Sequence, residues 1–411
     1  MLAGAAGVGN LLGLAFTVVI AHALGAVDYG SLAALVSAFL VVSIAGSALQ
    51  ITVARETSLE VEHHDGGIVH NVRDWINRLL VITLGAVVVG VLLRQPIADL
   101  VGVGGAPWAA SAVLASGAAW LLLSTLRGVL QGLGRFGWVA ISVVGEAGFR
   151  LVFAVALVSA GGGVTGGFLG SGLSVVAMAA ILLVPISASL RTMSERVEAD
   201  RVPSGAEHGL SNIAARSWPA LMALTLIALL QNSDVIMVKR NAAEAVAGAY
   251  AANSVAAKVI VWIAIGLGLW VVPETARRGA GRGAIRVLTR VLALLGAAGC
   301  AMVAIYAVAG PQLLRAGFGE EFDIAASSLP TLAAAMSLLS MSYIVAQHFL
   351  ALGRRTFLAL LGTAVIVQLT VLTAVADSAS ETADVLLAIN VALFAALLTL
   401  ALARAGLTRR E

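Results

Sequence analysis

The sequence predicts an all-α, polytopic membrane protein of about twelve transmembrane helices arranged as two parallel six-helix lobes. Three observations predict it: an extreme apolar composition, a run of apolar segments of membrane-spanning length, and a weak internal repeat whose period is six segments. The 411 residues are 60% hydrophobic and 11% charged, with a mean hydropathy of +0.99, whereas a soluble domain carries roughly a quarter charged residues. At roughly 20 residues per helical crossing, twelve crossings consume about 240 residues. Short connectors and modest tails take the rest, which leaves no room for a separate catalytic domain.

Hydropathy and helix-breaking residues place spans near 2–24, 31–54, 79–93, 108–126, 137–158 and 164–190, and, after a polar gap, near 217–238, 245–272, 284–308, 326–350, 356–376 and 383–404. The first apolar run, Leu2 to Ile20, leads into Ala21-His22-Ala23, which imitates a signal-peptide cleavage site. It lacks a basic leader and reads as a span. With both termini placed in the cytoplasm, 19 of the 25 Lys and Arg residues sort to the inner side and four, Arg94, Lys239, Arg240 and Arg315, to the outer side. That asymmetry is a positive-inside pattern. The longest connectors, 55–78 and 191–216, are then cytoplasmic, and several outer connectors are acidic, with Glu320, Glu321 and Asp323 in one and Asp377, Glu381 and Asp384 in another. Trp75, Trp108, Trp138, Trp218 and Trp270 fall near span ends, as interfacial anchors do.

Residues 30–57 align with 248–275 with nine identities over 28 positions, and Leu133-Gly134-Arg135 corresponds to Leu352-Gly353-Arg354 at nearly the same offset. An offset of six spans preserves orientation, so the halves read as parallel repeats, a common transporter plan that builds a cavity between them. The expected division is an N-terminal six-helix lobe at 1–190, a cytoplasmic linker at 191–216 and a C-terminal six-helix lobe at 217–411.

Four ionisable residues fall well inside predicted spans: Glu146 and Arg150 in the fifth, Asp234 in the seventh and Lys258 in the eighth. A charge at mid-membrane costs roughly 2.5–3.5 kcal/mol on insertion scales, so such residues face a partner or a cavity. Glu146 and Arg150, four apart, share a helix face and read as an internal salt bridge or as a cavity-lining pair. Asp234 lies about five residues from the outer end of its span and Lys258 about thirteen into the next, roughly 8 and 20 Å deep at 1.5 Å per residue. A direct bridge between them is therefore not expected. Lys258 becomes the sharpest candidate for an anionic ligand, against snorkelling or pairing with Glu146. Asp234, beside Asn232 and Ser233, offers oxygens for a proton or Na⁺, or is an outer-surface charge near Lys239 and Arg240. Arg55 and Glu56 end the second span at the inner mouth, where Arg55 meets entering phosphates or serves as an ordinary anchor. Pro185, Pro219 and Pro273 kink or end helices.

Several chemistries fail their context tests. Gly132-Leu-Gly134-Arg-Phe-Gly137 has dinucleotide-loop spacing but follows a membrane helix rather than a strand, and there is no GxxxxGK[ST] phosphate loop. His63, His64, Asp65 and His70 sit in a polar connector without ligand spacing, and the single cysteine, Cys300, cannot form an intrachain disulfide. No acidic sugar-nucleotide motif marks a membrane glycan polymerase or ligase, which stays as the enzyme alternative. No cofactor, metal or nucleic-acid partner is expected.

Ordered landmarks along the chain resemble the polysaccharide or oligosaccharide flippases of the superfamily that also contains multidrug and toxic-compound extruders. Leu24-Gly25-Ala26-Val27-Asp28-Tyr29-Gly30 resembles that family's LG-x-x-x-YG turn, and Leu126-Arg127-Gly128-Val129-Leu130-Gln131-Gly132-Leu133-Gly134-Arg135-Phe136 is similar to its inner loop. Asp234 to Lys239, Ala247-Gly248-Ala249-Tyr250-Ala251 and then Lys258 resemble its D-x-x-x-x-K, AG-x-YA and downstream lysine pattern, followed by Pro273-Glu274 and Phe318-Gly319-Glu320-Glu321-Phe322. The resemblance implies a MATE-like pair of lobes around a central cavity, alternating access, and export of polyprenyl-diphosphate-linked oligosaccharide from the inner to the outer leaflet of a bacterial cytoplasmic membrane. Possible companions are a proton or Na⁺ gradient and polysaccharide polymerase or assembly proteins. The first span contains no Arg, and the two extra C-terminal spans frequent in lipid II flippases are not seen, which makes that substrate the less expected one. Multidrug extrusion is the non-sugar alternative, favoured by a net acidic cavity. Arg150 and Lys258, with Arg55 at the mouth, are the expected diphosphate ligands, Glu146 the partner of Arg150, and Asp234 with Asn232 the expected ion-coupling group.

Overall fold

The computed structural model describes residues 2–62, 68–200, 210–278 and 282–407. All regular structure among them is helical. In lipid no water satisfies a free N–H or C=O, so a chain this apolar can cross only as helices that bond their own backbone. The helices are α1 (Leu2–Glu62), α2 (Ile68–Leu92), a short α3 (Arg94–Val101), α4 (Pro107–Gly132), α5 (Phe136–Leu157), α6 (Gly163–Asp200), α7 (Leu210–Asn241), α8 (Glu244–Ala257), α9 (Val259–Arg278), α10 (Arg282–Phe318), α11 (Leu329–Ala351), α12 (Phe357–Val375) and α13 (Ala379–Leu407).

Two continuous runs each hold two crossings. α1 is broken at Gly25, whose φ of 74° and ψ of 169° let the chain reverse with almost no loop between the first two spans. Between α5 and α6 a π-helical segment, Val158–Gly162, does the same. α8 and α9 together make one crossing, interrupted at Lys258. Twelve crossings result among the described residues, with different boundaries from those predicted: α2 starts eleven residues earlier than its predicted span at 79, and α10 runs on to Phe318. The predicted polar connector at 55–78 is therefore largely helix. His63, His64 and Asp65 lie outside the described residues, as does 201–209 of the predicted linker.

The chain forms two compact units. The first comprises residues 1–24 and 38–221, the second 25–37 and 222–411. In the first, α4 is the central helix and packs on both α2 and α6, with Leu123, Leu126, Val129, Leu130, Val175 and Trp75 in one apolar cluster. Trp75 is 1% exposed, a correction to its expected place at an interface: α2 begins early enough to turn it into the helix bundle. Trp108, Trp218 and Trp270 are exposed, as expected of anchors. In the second unit α11 is central, contacting α8, α9, α10 and α13.

The internal repeat is visible in backbone geometry. Gly134 and Gly353, aligned by the repeat, both adopt positive φ, 70° and 66°. Each closes the same helix-ending turn, in which Arg135 N–H donates to Leu130 O and Arg354 N–H donates to Phe349 O. The Glu-Thr pairs that end the aligned stretches, Glu56-Thr57 and Glu274-Thr275, are all buried. Their ion pairing differs: Glu274 binds both Arg277 and Arg278, with Arg278 Nε donating at 2.6 Å, while Glu56 has no ion pair among the described residues. The repeat equivalents of the two arginines are Leu59 and Glu60, which explains the difference.

Hydrogen bonding from Arg278, opposed by burial and reinforced by Arg277, holds the Glu274 carboxyl below the ordinary carboxylate range. A depressed carboxyl contributes stability above its unfolded value, and that contribution is lost as pH falls through the folded value. Melting of the detergent-solubilised protein should therefore drop on acidification below the usual Glu range more steeply in wild type than in Glu274→Gln. Parallel curves for the two would contradict this.

Candidate functional site

Within the first unit, α5 carries Glu146 and Arg150 one turn apart, and they pair as the spacing predicts: Arg150 Nη2 donates to Glu146 Oε1 at 2.6 Å. Glu146 is 5% exposed, and the Arg150 guanidinium also lies 5.9 Å from the Phe16 ring. Its Nε–H is buried without a hydrogen-bond partner among the described residues, so one donor of the fork is uncommitted.

Sequence reasoning missed a third charge. Arg127 was expected in an inner connector, but α4 continues to Gly132 and encloses it at 4% exposure. Its Nε donates to Ser142 Oγ at 2.9 Å, its Nη2 donates to Ser142 O at 2.8 Å, and its guanidinium stacks over Trp120 at 5.4 Å. None of these partners carries a negative charge. Trp120 Nε1 and Ser124 Oγ nearby are buried without partners among the described residues. Among the described residues, Arg127 and Glu146 are thus buried within the spans of this unit, with Arg150 part-buried beside Glu146 and a second carboxylate, Glu56, buried near the end of α1. The available signal was the length of the span: an arginine five residues before the Gly132-Leu133-Gly134 turn still belongs to the helix.

Within the second unit, Asp234 is fully buried and sits at the centre of a polar network. Tyr250 Oη donates to Asp234 Oδ2 at 3.0 Å and Ser254 Oγ at 3.2 Å. Lys258 Nζ lies 3.7 Å from Asp234 Oδ1 and 3.5 Å from Asn232 Oδ1. This corrects the expectation that the two charges are too far apart in depth to meet. α7 ends at Asn241 and α8 starts at Glu244, which places Asp234 seven residues and Lys258 fourteen from the turn, about 10 Å apart along the helix axes. The helix breaks at Lys258, and the long side chain spans the remainder back to Asp234. Gln368 ties the network to α12 by donating to Leu230 O and Ser233 Oγ, both at 2.9 Å. Asn253 on α8 donates to Ala325 O at 2.6 Å. Every one of Asn232, Asp234 and Lys258 is therefore brought together, as Glu146 and Arg150 are in the other unit. Arg55 is exposed at the end of α1 and has no partner among the described residues.

Three of the landmarks that carry the sequence resemblance also converge in the second unit, as packing rather than as ligands. Tyr29 packs against Phe318 and Phe322, with ring centroids 6.2 and 5.7 Å apart, and Glu321 Oε1 lies 3.5 Å from where a Cβ on Gly25 would project. Gly30 and Gly248, equivalent positions of the repeat, are in backbone contact, since a Cβ on Gly30 would lie 2.9 Å from Gly248 N. Small residues at a membrane helix crossing allow this close approach.

The fold is that of a polytopic, all-α membrane protein with ionisable residues buried inside its spans. No protein-family model and no curated protein matches the sequence. Among solved structures it is similar, at 14% identity and a TM-score of 0.79, to an inward-facing multidrug resistance MATE family transporter of the MOP superfamily, covering 96% of this chain and 95% of that one. The lipid II flippase MurJ in an inward closed conformation matches at 12% identity and a TM-score of 0.69, covering 97% of this chain and 86% of that one. A MOP superfamily transporter from Pyrococcus furiosus, described as having a binding pocket of reversed polarity, matches at 14% identity and 0.62, with 98% and 95% covered. These structures are transporters rather than enzymes, and at such identities the likeness speaks for the fold.

Proposed function

We propose that the chain is a MOP-type flippase that carries a polyprenyl-diphosphate-linked oligosaccharide from the inner to the outer leaflet of the bacterial cytoplasmic membrane, for cell-surface polysaccharide synthesis. The observation that carries this reading is the pair of guanidinium groups in the first unit, Arg127 buried and hydrogen-bonded to Ser142 without a carboxylate, and Arg150 part-buried beside Glu146 with its Nε–H unpartnered among the described residues. A part-buried cation with an unused N–H suits a diphosphate, because hydrogen bonds between charged groups are short and roughly twice as strong as neutral ones. Lys258, held by a long 3.7 Å contact to Asp234, is the second proposed ligand. Arg55 is proposed to receive the head group at the inner mouth. In this scheme both termini are cytoplasmic, residues 1–190 and 217–411 act as the two lobes of an alternating-access cycle, and polymerase or assembly proteins consume the product.

The lipid tail stays in hydrocarbon throughout, since withdrawing it costs about 0.8 kcal/mol per CH₂. Ion coupling is assigned to Asp234 with Asn232: a proton or Na⁺ competes there with the Lys258 ammonium and frees the lysine for phosphate. A cation-coupled multidrug exporter is the second reading, favoured by the similarity in fold to multidrug resistance MATE family transporters.

Binding separates the two. A short-chain polyprenyl-diphosphate oligosaccharide should bind the purified protein, and Arg150→Gln should weaken it about 10- to 100-fold, the equivalent of one charged hydrogen bond of about 1.5–3 kcal/mol. Ethidium bound equally by both proteins, with no binding of the glycolipid, would favour drug extrusion.

A further inference from the structure

In the first unit the start of α2 and the end of α6 enclose an open groove of about 520 Å³, lined by Val69, Arg73, Ile76 and Asn77 on one side and by Leu183, Val184, Ser187, Leu190 and Arg191 on the other. Neither Arg73 nor Arg191 has a hydrogen-bond or ion-pair partner among the described residues. No carboxylate among the described residues lines the groove, and the nearest one in sequence to Arg73, Asp74, is already paired with Arg78 at 2.8 Å. Among the described residues the groove therefore holds two guanidinium groups without an acidic partner, beside an amide and a hydroxyl, with an apolar floor.

It sits where two spanning helices end, at Val69 of one and Thr192 of the other, which is head-group depth. From its rim an apolar stripe continues toward mid-membrane: Val81, Leu84 and Val88 on α2 are 71%, 68% and 53% exposed, and Val184 on α6 is 67% exposed. Positions 77, 81, 84 and 88 share one helix face, so the polar and apolar parts lie in line.

We infer that this groove binds an anionic phospholipid, its phosphate between Arg73 and Arg191 and its acyl chains along the α2 stripe. Charge selects the occupant: two guanidinium groups with no acid beside them among the described residues favour a lipid of net negative charge over a zwitterionic one. The site is separate from the buried charges of α4, α5, α7 and α8 and stands whether or not the chain moves a glycolipid.

Native mass spectrometry of the full chain in detergent, titrated with phosphatidylglycerol or phosphatidylcholine, tests it. Wild type should bind its first phosphatidylglycerol about tenfold more tightly than phosphatidylcholine, because one desolvated ionic contact of about 1.4 kcal/mol is a tenfold change. Arg73→Gln/Arg191→Gln should lose that preference, whereas Arg78→Gln, whose side chain is outside the groove, should keep it. Arg73→Lys/Arg191→Lys, retaining charge, should keep part of it and covers the case in which the glutamine pair does not fold. Equal affinity of wild type for both lipids, or an unchanged preference in the glutamine pair, would overturn the proposal. Inorganic phosphate displacing phosphatidylglycerol at equal concentration would overturn the lipid as occupant.

Discussion

Lys258→Met is expected to cost the detergent-solubilised protein about 3–5 kcal/mol, because it leaves Asp234 buried with its ionic partner gone. Asp234→Asn should cost a comparable amount from the other side, stranding the ammonium beside Asn232. The double variant should be more stable than either single one, since the removal of both charges avoids an uncompensated ion. Tyr250 and Ser254 keep their hydroxyls near residue 234 in every variant, so the non-additivity reports on the charge pair itself. Additive losses, measured by thermal stability, would mean that the 3.7 Å contact carries no coupling. Transport separates structure from function: if Lys258 also binds phosphate, the double variant regains stability but not activity.

Gly248→Ala should be nearly as damaging to folding. The added Cβ would lie 1.8 Å from Ala26 O and 2.5 Å from Ala26 C, both backbone atoms that no rotamer change can move. Overpacking typically costs about 1–3 kcal/mol, and a rigid backbone obstacle puts this site at about 3 kcal/mol. The whole α8 crossing with residues 25–37 would have to separate, loosening the Tyr29, Phe318 and Phe322 cluster. Gly266→Ala, in the next helix, meets nothing within 4 Å and should behave like wild type. Equal folded yields of the two variants would contradict the packing assigned to Gly248.

Which features were readable in the sequence follows from the physics that sets them. The crossings were readable because lipid penalises any polar interruption, so apolar length alone marks them. The repeat was readable through a few residues with steric duties, such as Gly134 and Gly353 in their left-handed turns. The Glu146–Arg150 pair followed from helical spacing alone. The Asp234–Lys258 pair did not, because depth counted along straight helices ignores both the break between α8 and α9 and the reach of a lysine. Arg127 was hidden for a related reason: a positive charge close to a glycine turn reads as a loop residue, and its hydrogen bonds to Ser142 and stacking over Trp120 depend on packing between helices. Three conspicuous landmarks, around Gly25, Gly248 and Phe318, turned out to pack against one another.

The central claim, that buried cations move a diphosphate-linked glycan across the membrane, is tested most directly in proteoliposomes. A fluorescent polyprenyl-diphosphate oligosaccharide would be followed from one leaflet to the other with wild type, Lys258→Ala and Arg150→Ala/Lys258→Ala, each checked for folding before reconstitution. Transfer by wild type, reduced in Lys258→Ala and lost in the double variant, is the expected result. Transfer by the double variant at the wild-type rate would contradict the cationic site, and its absence with folded wild type across several glycans would contradict the flippase reading itself.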